Sequence, residues 1–161
     1  MQTGRTWRGA IDAAVGELRA TLGDDARFEA ELLLAATLGV NRAALVARAD
    51  EALDADVAAE FARRVARRAA GEPFAYITGR RSFWTLELSV TPDVLVPRPE
   101  TELLVERALA CGDALGRATL RVVDLGTGCG AIALALAAAR PDWRIVATDI
   151  SPAALDVARG N

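Results

Sequence analysis

The chain has 161 residues, 52% apolar and 25% charged, with 19 basic against 22 acidic side chains and a net charge of −3. This is the profile of a globular protein; it excludes a molecule that gathers nucleic acid by overall charge, and no run of 18 apolar residues is present to form a membrane span. All 19 basic residues are arginine, so no His acts as a base or metal ligand, and no Lys forms a Schiff base or completes a P-loop.

Residues 1–70 read as a small antiparallel helical bundle. Trp7, Ile11, Val15, Leu18 and Leu22 make the first apolar stripe. Gly23-Asp24-Asp25 breaks that helix, with Asp24 or Asp25 as cap of the next, whose stripe is Phe28, Leu32, Ala35 and Leu38 and whose end is Gly39. Asn41 caps a short third helix. Asp54 or Asp56 caps a fourth, with Val57, Phe61 and Val65 inward and Gly71 after it. Arg63, Arg64, Arg67 and Arg68 sit in its last turns, where the helix dipole favours cations. They read as a solvated face, with contact to a partner protein or RNA as the alternative. Arg5, Arg8 and Asp12 interrupt any signal-peptide core, so the expected location is cytoplasmic.

Residues 71–97 read as a linker containing a β-hairpin. Leu86, Leu88 and Val90 alternate with polar residues, Thr91-Pro92-Asp93 is a turn, and Val94-Leu95-Val96 is a second apolar run. From 98 the pattern becomes α/β. Pro99 opens a helix with Glu100 and Glu102 in its first turn and Leu103, Leu104 and Leu109 inward. A strand over 120–123, a glycine loop, a helix over 131–139 and a strand over 144–148 form a βαβ unit, and Ser151-Pro152 starts another helix. Cys111 and Cys129 make neither a zinc site nor a disulfide framework; Cys111 reads as a packed small residue and Cys129 as a variable small residue of a loop, not a nucleophile.

The loop Asp124-Leu125-Gly126-Thr127-Gly128-Cys129-Gly130 lies between a strand and a helix, the setting of a nucleotide site. Glycines at 126, 128 and 130 let a ligand approach backbone, and the helix start adds N–H groups without intrahelical acceptors. Two cofactors compete, because Gly126, Gly128 and Ala131 also satisfy the dinucleotide pattern. Asp124 favours S-adenosylmethionine: a carboxylate there repels a pyrophosphate and attracts a methionine amino group. Asp149, ending the second strand, can accept the ribose hydroxyls of either cofactor. The residues expected to bind cofactor are therefore Asp124, Gly126, Thr127, Gly128, Cys129, Gly130 and Asp149, with no metal.

The segment Val94-Leu95-Val96-Pro97-Arg98-Pro99-Glu100-Thr101-Glu102, taken with that loop, resembles the HemK/PrmC family, the release factor glutamine methyltransferases. Gly71-Glu72-Pro73-Phe74-Ala75-Tyr76-Ile77-Thr78-Gly79, Phe83 with its hairpin, residues 153–161 and the helical N-terminus extend the resemblance over essentially the whole chain. It implies an N-terminal all-α bundle for substrate recognition, a β-hairpin linker, and the start of a Rossmann-like methyltransferase domain using S-adenosylmethionine. It implies transfer of a methyl group to the glutamine amide of the Gly-Gly-Gln motif in peptide chain release factors, with no membrane partner and no direct nucleic-acid contact outside a ribosomal context. Pro97, Arg98, Pro99 and Glu100 would wall the substrate cleft, with pairing of Arg98 to an interface carboxylate as the alternative. The family's catalytic Asn-Pro-Pro-Tyr is absent from these residues. The chain is accordingly expected to be an N-terminal part of the enzyme, inactive by itself, with a weak cofactor site and an exposed sheet edge prone to association. Three other readings remain: an N6-adenine DNA methyltransferase, which the acidic charge disfavours; a non-catalytic release-factor-binding module; and an NAD-dependent dehydrogenase.

Overall fold

The computed structural model describes residues 6–161, and Arg5 lies outside that range. The chain divides into two compact units, Met1–Thr78 and Gly79–Asn161.

The first unit is helical: α1 (Trp7–Leu22), α2 (Ala26–Leu38), α3 (Arg42–Ala47), α4 (Ala55–Ala69) and α5 (Phe74–Thr78). Local chemistry sets most of the ends. Thr6, Asn41 and Asp54 each accept first-turn N–H groups through their side chains, and Gly39 ends α2 in the left-handed region. Asp24 and Asp25 do not cap α2; they form a 3-10 turn (Gly23–Asp25) that runs straight into it without a side-chain cap bond.

The core gathers Trp7, Ile11 and Leu18 of α1, Leu33 and Leu34 of α2, and Phe61 and Val65 of α4. Each large side chain buried in this way contributes about 1.5–3 kcal/mol. The buried stripe of α2 is Ala26, Ala30, Leu33, Leu34 and Ala35; it keeps Ala35 of the expected stripe, with Leu38 packed part-buried against the core, and departs from it at Phe28 and Leu32. Phe28 is 49% exposed and lies instead beneath Arg42, whose guanidinium is 4.7 Å from the ring centroid. Three of these five stripe residues are alanines, and choosing the stripe by side-chain size alone misses that phase. Residues 71–78 fold with this unit, and Ile77 of α5 is in its core.

The arginines of α4 are paired. Arg63 and Arg64 meet Glu60, Arg67 meets Glu72, and Arg68 holds Glu29 of α2 through two bonds of 2.6 and 3.2 Å. The Arg68–Glu29 pair is the most enclosed of these, with side chains 16% and 20% exposed. Among the described residues no helix is long and apolar enough to cross a membrane.

The second unit begins with an antiparallel hairpin of β1 (Arg80–Phe83) and β2 (Leu86–Ser89). The partner of the Leu86 run is thus the segment before it, and Val94-Leu95-Val96 is not a strand. The turn is Trp84-Thr85, with Trp84 at φ 56, a conformation uncommon for a bulky residue. No Gly or Asn announces it, and β1 has only Phe83 as an apolar residue. The turn is held from outside its own sequence: Glu102 accepts the Trp84 N–H at 2.9 Å.

After a 3-10 turn (Pro99–Thr101) come α6 (Glu102–Ala114), β3 (Arg121–Leu125), α7 (Ala131–Ala139), β4 (Arg144–Thr148) and α8 (Pro152–Gly160). Strands β3 and β4 pair in parallel with Val123 beside Val146, as the βαβ reading requires. Helix α6 turns Val105 and Gly112 inward, not Leu103 and Leu104, which are each 55% exposed. Cys111 is likewise exposed, not packed. Gly112 explains this phase. A Cβ on it would lie 2.1 Å from Cη2 of Trp143, so the indole seats directly on the helix backbone. Arg140, at the end of α7, pairs with Asp113 next to that contact.

Gly112→Ala should therefore destabilise the second unit by about 1–3 kcal/mol, overpacking outweighing a helix-propensity gain of about 1 kcal/mol. Urea denaturation followed by Trp fluorescence measures it, and an unchanged or raised midpoint would contradict the Trp143 contact.

Candidate functional site

The glycine loop lies between the end of β3 and the start of α7, but Asp124 and Leu125, expected in the loop, are the last two residues of β3. Gly126, Gly128 and Gly130 all have positive φ, of 76°, 56° and 86°. A side chain at any of them would be strained, and at Gly126 and Gly128 a Cβ would meet nothing within 4 Å. The space beside these two residues is open. Gly130 is crowded instead, with Leu134 and Ala158 at 3.1 and 3.4 Å from its Cβ position.

Most of the loop's polar groups are engaged by its neighbours. The N–H groups of Gly126 and Thr127 both donate to the Thr148 carbonyl, at 2.8 and 2.9 Å, and Gly130 N–H donates to the Thr127 carbonyl. The buried Thr127 hydroxyl donates to Asp124 Oδ2 at 2.7 Å. Gly128 N–H donates to Asp149 Oδ2 and Ser151 N–H to Asp149 Oδ1, both at 2.9 Å. Ser151 in turn caps α8 by accepting from Ala154 N–H.

Two hydrogen-bonded pairs, Asp124 with Thr127 and Asp149 with Gly128, therefore hold adjacent residues of the loop, one from β3 and one from the residue after β4. Cys129 is buried within the loop, and burial pushes its thiol pKa up, against N–H groups of Ala131 and Cys129 itself that lower it; this is a packing role and not that of a nucleophile.

The proline segment directly precedes α6. Pro97 is buried, whereas Arg98, Pro99 and Glu100 are exposed. Arg98 has no carboxylate partner among the described residues, and no hydrogen bond joins 97–100 to the glycine loop. The acid of this segment with a structural bond is Glu102, which sequence reasoning assigned only to the helix dipole. Thr148, Ser151 and Asn161 were also missed as loop partners. Backbone acceptors carry no sequence signal, and Asn161 is distant in the chain.

Asp149 also determines how the site responds to acid. Its carboxyl sits below the ordinary aspartate value of 3.8, mainly because Ser151 N–H and then Gly128 N–H bond its charged form. Its contribution to loop order is therefore fully present above that ordinary value and disappears as pH falls through the lower folded one. In an acid titration, the amide proton shifts of Gly128 and Ser151 should share a midpoint below 3.8. A midpoint at or above it would show that the two bonds are not made.

Comparison with known proteins matches both parts of the chain. The family model for the PrmC N-terminal domain matches residues 10–79, and that for the methyltransferase small domain matches residues 100–161. A release factor glutamine methyltransferase of Burkholderia pseudomallei is 57% identical over 134 residues, covering 83% of this chain and 46% of the relative. A Coxiella burnetii protein of the same name is 49% identical over 88% of this chain and 50% of its own. One from Escherichia coli is 43% identical over 92% of this chain and 52% of its own. The chain thus spans about half the length of the curated relatives it matches. With two family models in chain order and identity of this level along most of its residues, the chain belongs to the HemK/PrmC family.

Proposed function

We propose that this chain supplies the cofactor-binding half of a release factor glutamine methyltransferase. In this reading Asp124, Gly126, Thr127, Gly128, Cys129, Gly130 and Asp149 hold S-adenosylmethionine, and the helical unit recognises the release factor. The observation that carries it is the Gly128–Asp149 bond: it ties a loop of three left-handed glycines to the acid directly after the adjacent parallel strand.

The residues fit the cofactor. The space beside Gly126 and Gly128 is open. Each Asp149 oxygen accepts one N–H and keeps a lone pair for a ribose hydroxyl. Asp124 is half-buried, bonded to Thr127 and available to an ammonium group. When bound, S-adenosylmethionine supplies an electrophilic methyl group on a sulfonium. The protein's part is to hold that group and orient an amide nitrogen toward it, which needs no strong base. That agrees with a chain lacking His and Lys.

Pro97, Arg98, Pro99 and Glu100 are proposed as a wall of the substrate cleft, where the exposed Arg98 would meet an acceptor. DNA methylation has less support, because the cations of α4 are matched by Glu29, Glu60 and Glu72. The orienting groups for the amide belong to Asn-Pro-Pro-Tyr, which these 161 residues do not contain. The chain alone is therefore proposed to bind cofactor weakly and to transfer nothing.

Two measurements test this reading. Adding S-adenosylhomocysteine to the 15N-labelled chain should shift the amides of 126–130 and of Asp149, with no comparable response to NAD. Asp149→Ala should weaken that binding about tenfold or more, and a preference for NAD sinks the cofactor assignment. Incubated with release factor and radiolabelled S-adenosylmethionine, the chain should leave the glutamine unmodified. Methylation by these residues alone would show that the acceptor site lies within them.

A further inference from the structure

Asn161, which follows α8, makes three side-chain hydrogen bonds. Its Oδ1 accepts from Ser89 N–H at 2.7 Å, and its Nδ2 donates to the Ser89 carbonyl at 3.1 Å and to the Cys129 carbonyl at 2.9 Å. The register of the hairpin explains why Ser89 is free to do this. Val90 N–H bonds the Gly79 carbonyl, and antiparallel bonding alternates, so Ser89 opposite Arg80 is a non-hydrogen-bonded pair. Its N–H and C=O therefore point away from β1, toward the outer edge of β2.

The Asn161 carboxamide occupies that edge as the peptide of a neighbouring strand would. Its second N–H then reaches the glycine loop, so both Nδ2 hydrogens are used. Ser89 offers one donor and one acceptor, which leaves a single orientation for the amide. Asp at 161 lacks the donors, and Ala lacks the reach.

We infer that Asn161 is a positioning residue for the cofactor loop, an inference that rests on the S-adenosylmethionine reading above. Asp149 holds the Gly128 N–H, and Asn161 holds the adjacent Cys129 carbonyl against the hairpin. Two successive loop residues are thus fixed from the two ends of α8. A ligand meeting this loop does not spend binding energy on ordering it. The hairpin, assigned no part in cofactor binding by its own sequence, becomes the wall against which the loop is braced.

Two variants of the 161-residue chain test this. Asn161→Asp keeps the side-chain size but sets an oxygen against the Cys129 and Ser89 carbonyls. Ser89→Pro deletes the N–H that Asn161 accepts, on an edge where the β1–β2 ladder does not need it, and leaves the loop sequence intact. Both should raise the dissociation constant for S-adenosylhomocysteine about fivefold. Both should speed amide exchange at residues 128–130 while the β1–β2 ladder stays protected. If both variants melt earlier yet bind S-adenosylhomocysteine as the wild type does, Asn161 is a structural tie only and the inference is overturned. If the wild-type chain itself shows no response to S-adenosylhomocysteine, the cofactor reading has failed and the positioning role falls with it.

Discussion

The second unit is organised around one carboxylate. Asp149 directly follows β4 and accepts an N–H from the loop that follows β3 and another from the turn that starts α8. Bonds from N–H groups to an ionised acceptor are among the stronger hydrogen bonds a protein makes. They are needed here because three glycines in the left-handed region carry a large ordering cost and no side chains to pack. The Thr148 carbonyl, one residue before, takes two further loop N–H groups. From Ser151, α8 then runs to Asn161, which returns to the carbonyl of Cys129. A segment with little intrinsic order is held by the strand and helix that come after it.

The helical unit is built on a different balance. Its interior is alanine and leucine at helical spacing, with Trp7 and Phe61 as the large members. Its arginines mostly end on carboxylates, so the unit shows little unmatched positive charge, and the exposed pairs contribute little individually. The second unit contrasts with it. Arg121 and Arg144 are register partners across β3 and β4, and neither has a carboxylate partner among the described residues. On the same face Val123, Leu125 and Val146 are 58%, 80% and 55% exposed. An apolar sheet face with two adjacent cations at one end is thus exposed, a feature separate from the open sheet edge expected from the sequence.

Elements whose signals are local were legible in the sequence. The caps Asn41, Asp54 and Ser151, the stop at Gly39, helix α7 and strand β4 all follow from residues within a few positions of the boundary. Of the candidate site, the placement of the glycines beside Asp124 and Asp149 was legible. The errors at the hairpin and at α6 share a cause. The hairpin turn at Trp84 is stabilised by Glu102, and the phase of α6 by Trp143. In each case the deciding partner is remote in the chain, and local propensity points elsewhere.

By itself, then, the sequence determined that Asp124, Gly126, Gly128, Gly130 and Asp149 would meet at the ends of two parallel strands. A strand, a glycine loop, a helix and a second strand in that order admit few other arrangements, and the glycines are required by backbone geometry. Only the tertiary structure decided which groups hold the loop. Asp149 meets Gly128 across 21 positions, and Asn161 meets Cys129 across 32 and Ser89 across 72. Such bonds depend on where whole elements pack, because a backbone N–H or carbonyl is the same at every residue and acquires a partner only when the fold brings one to it.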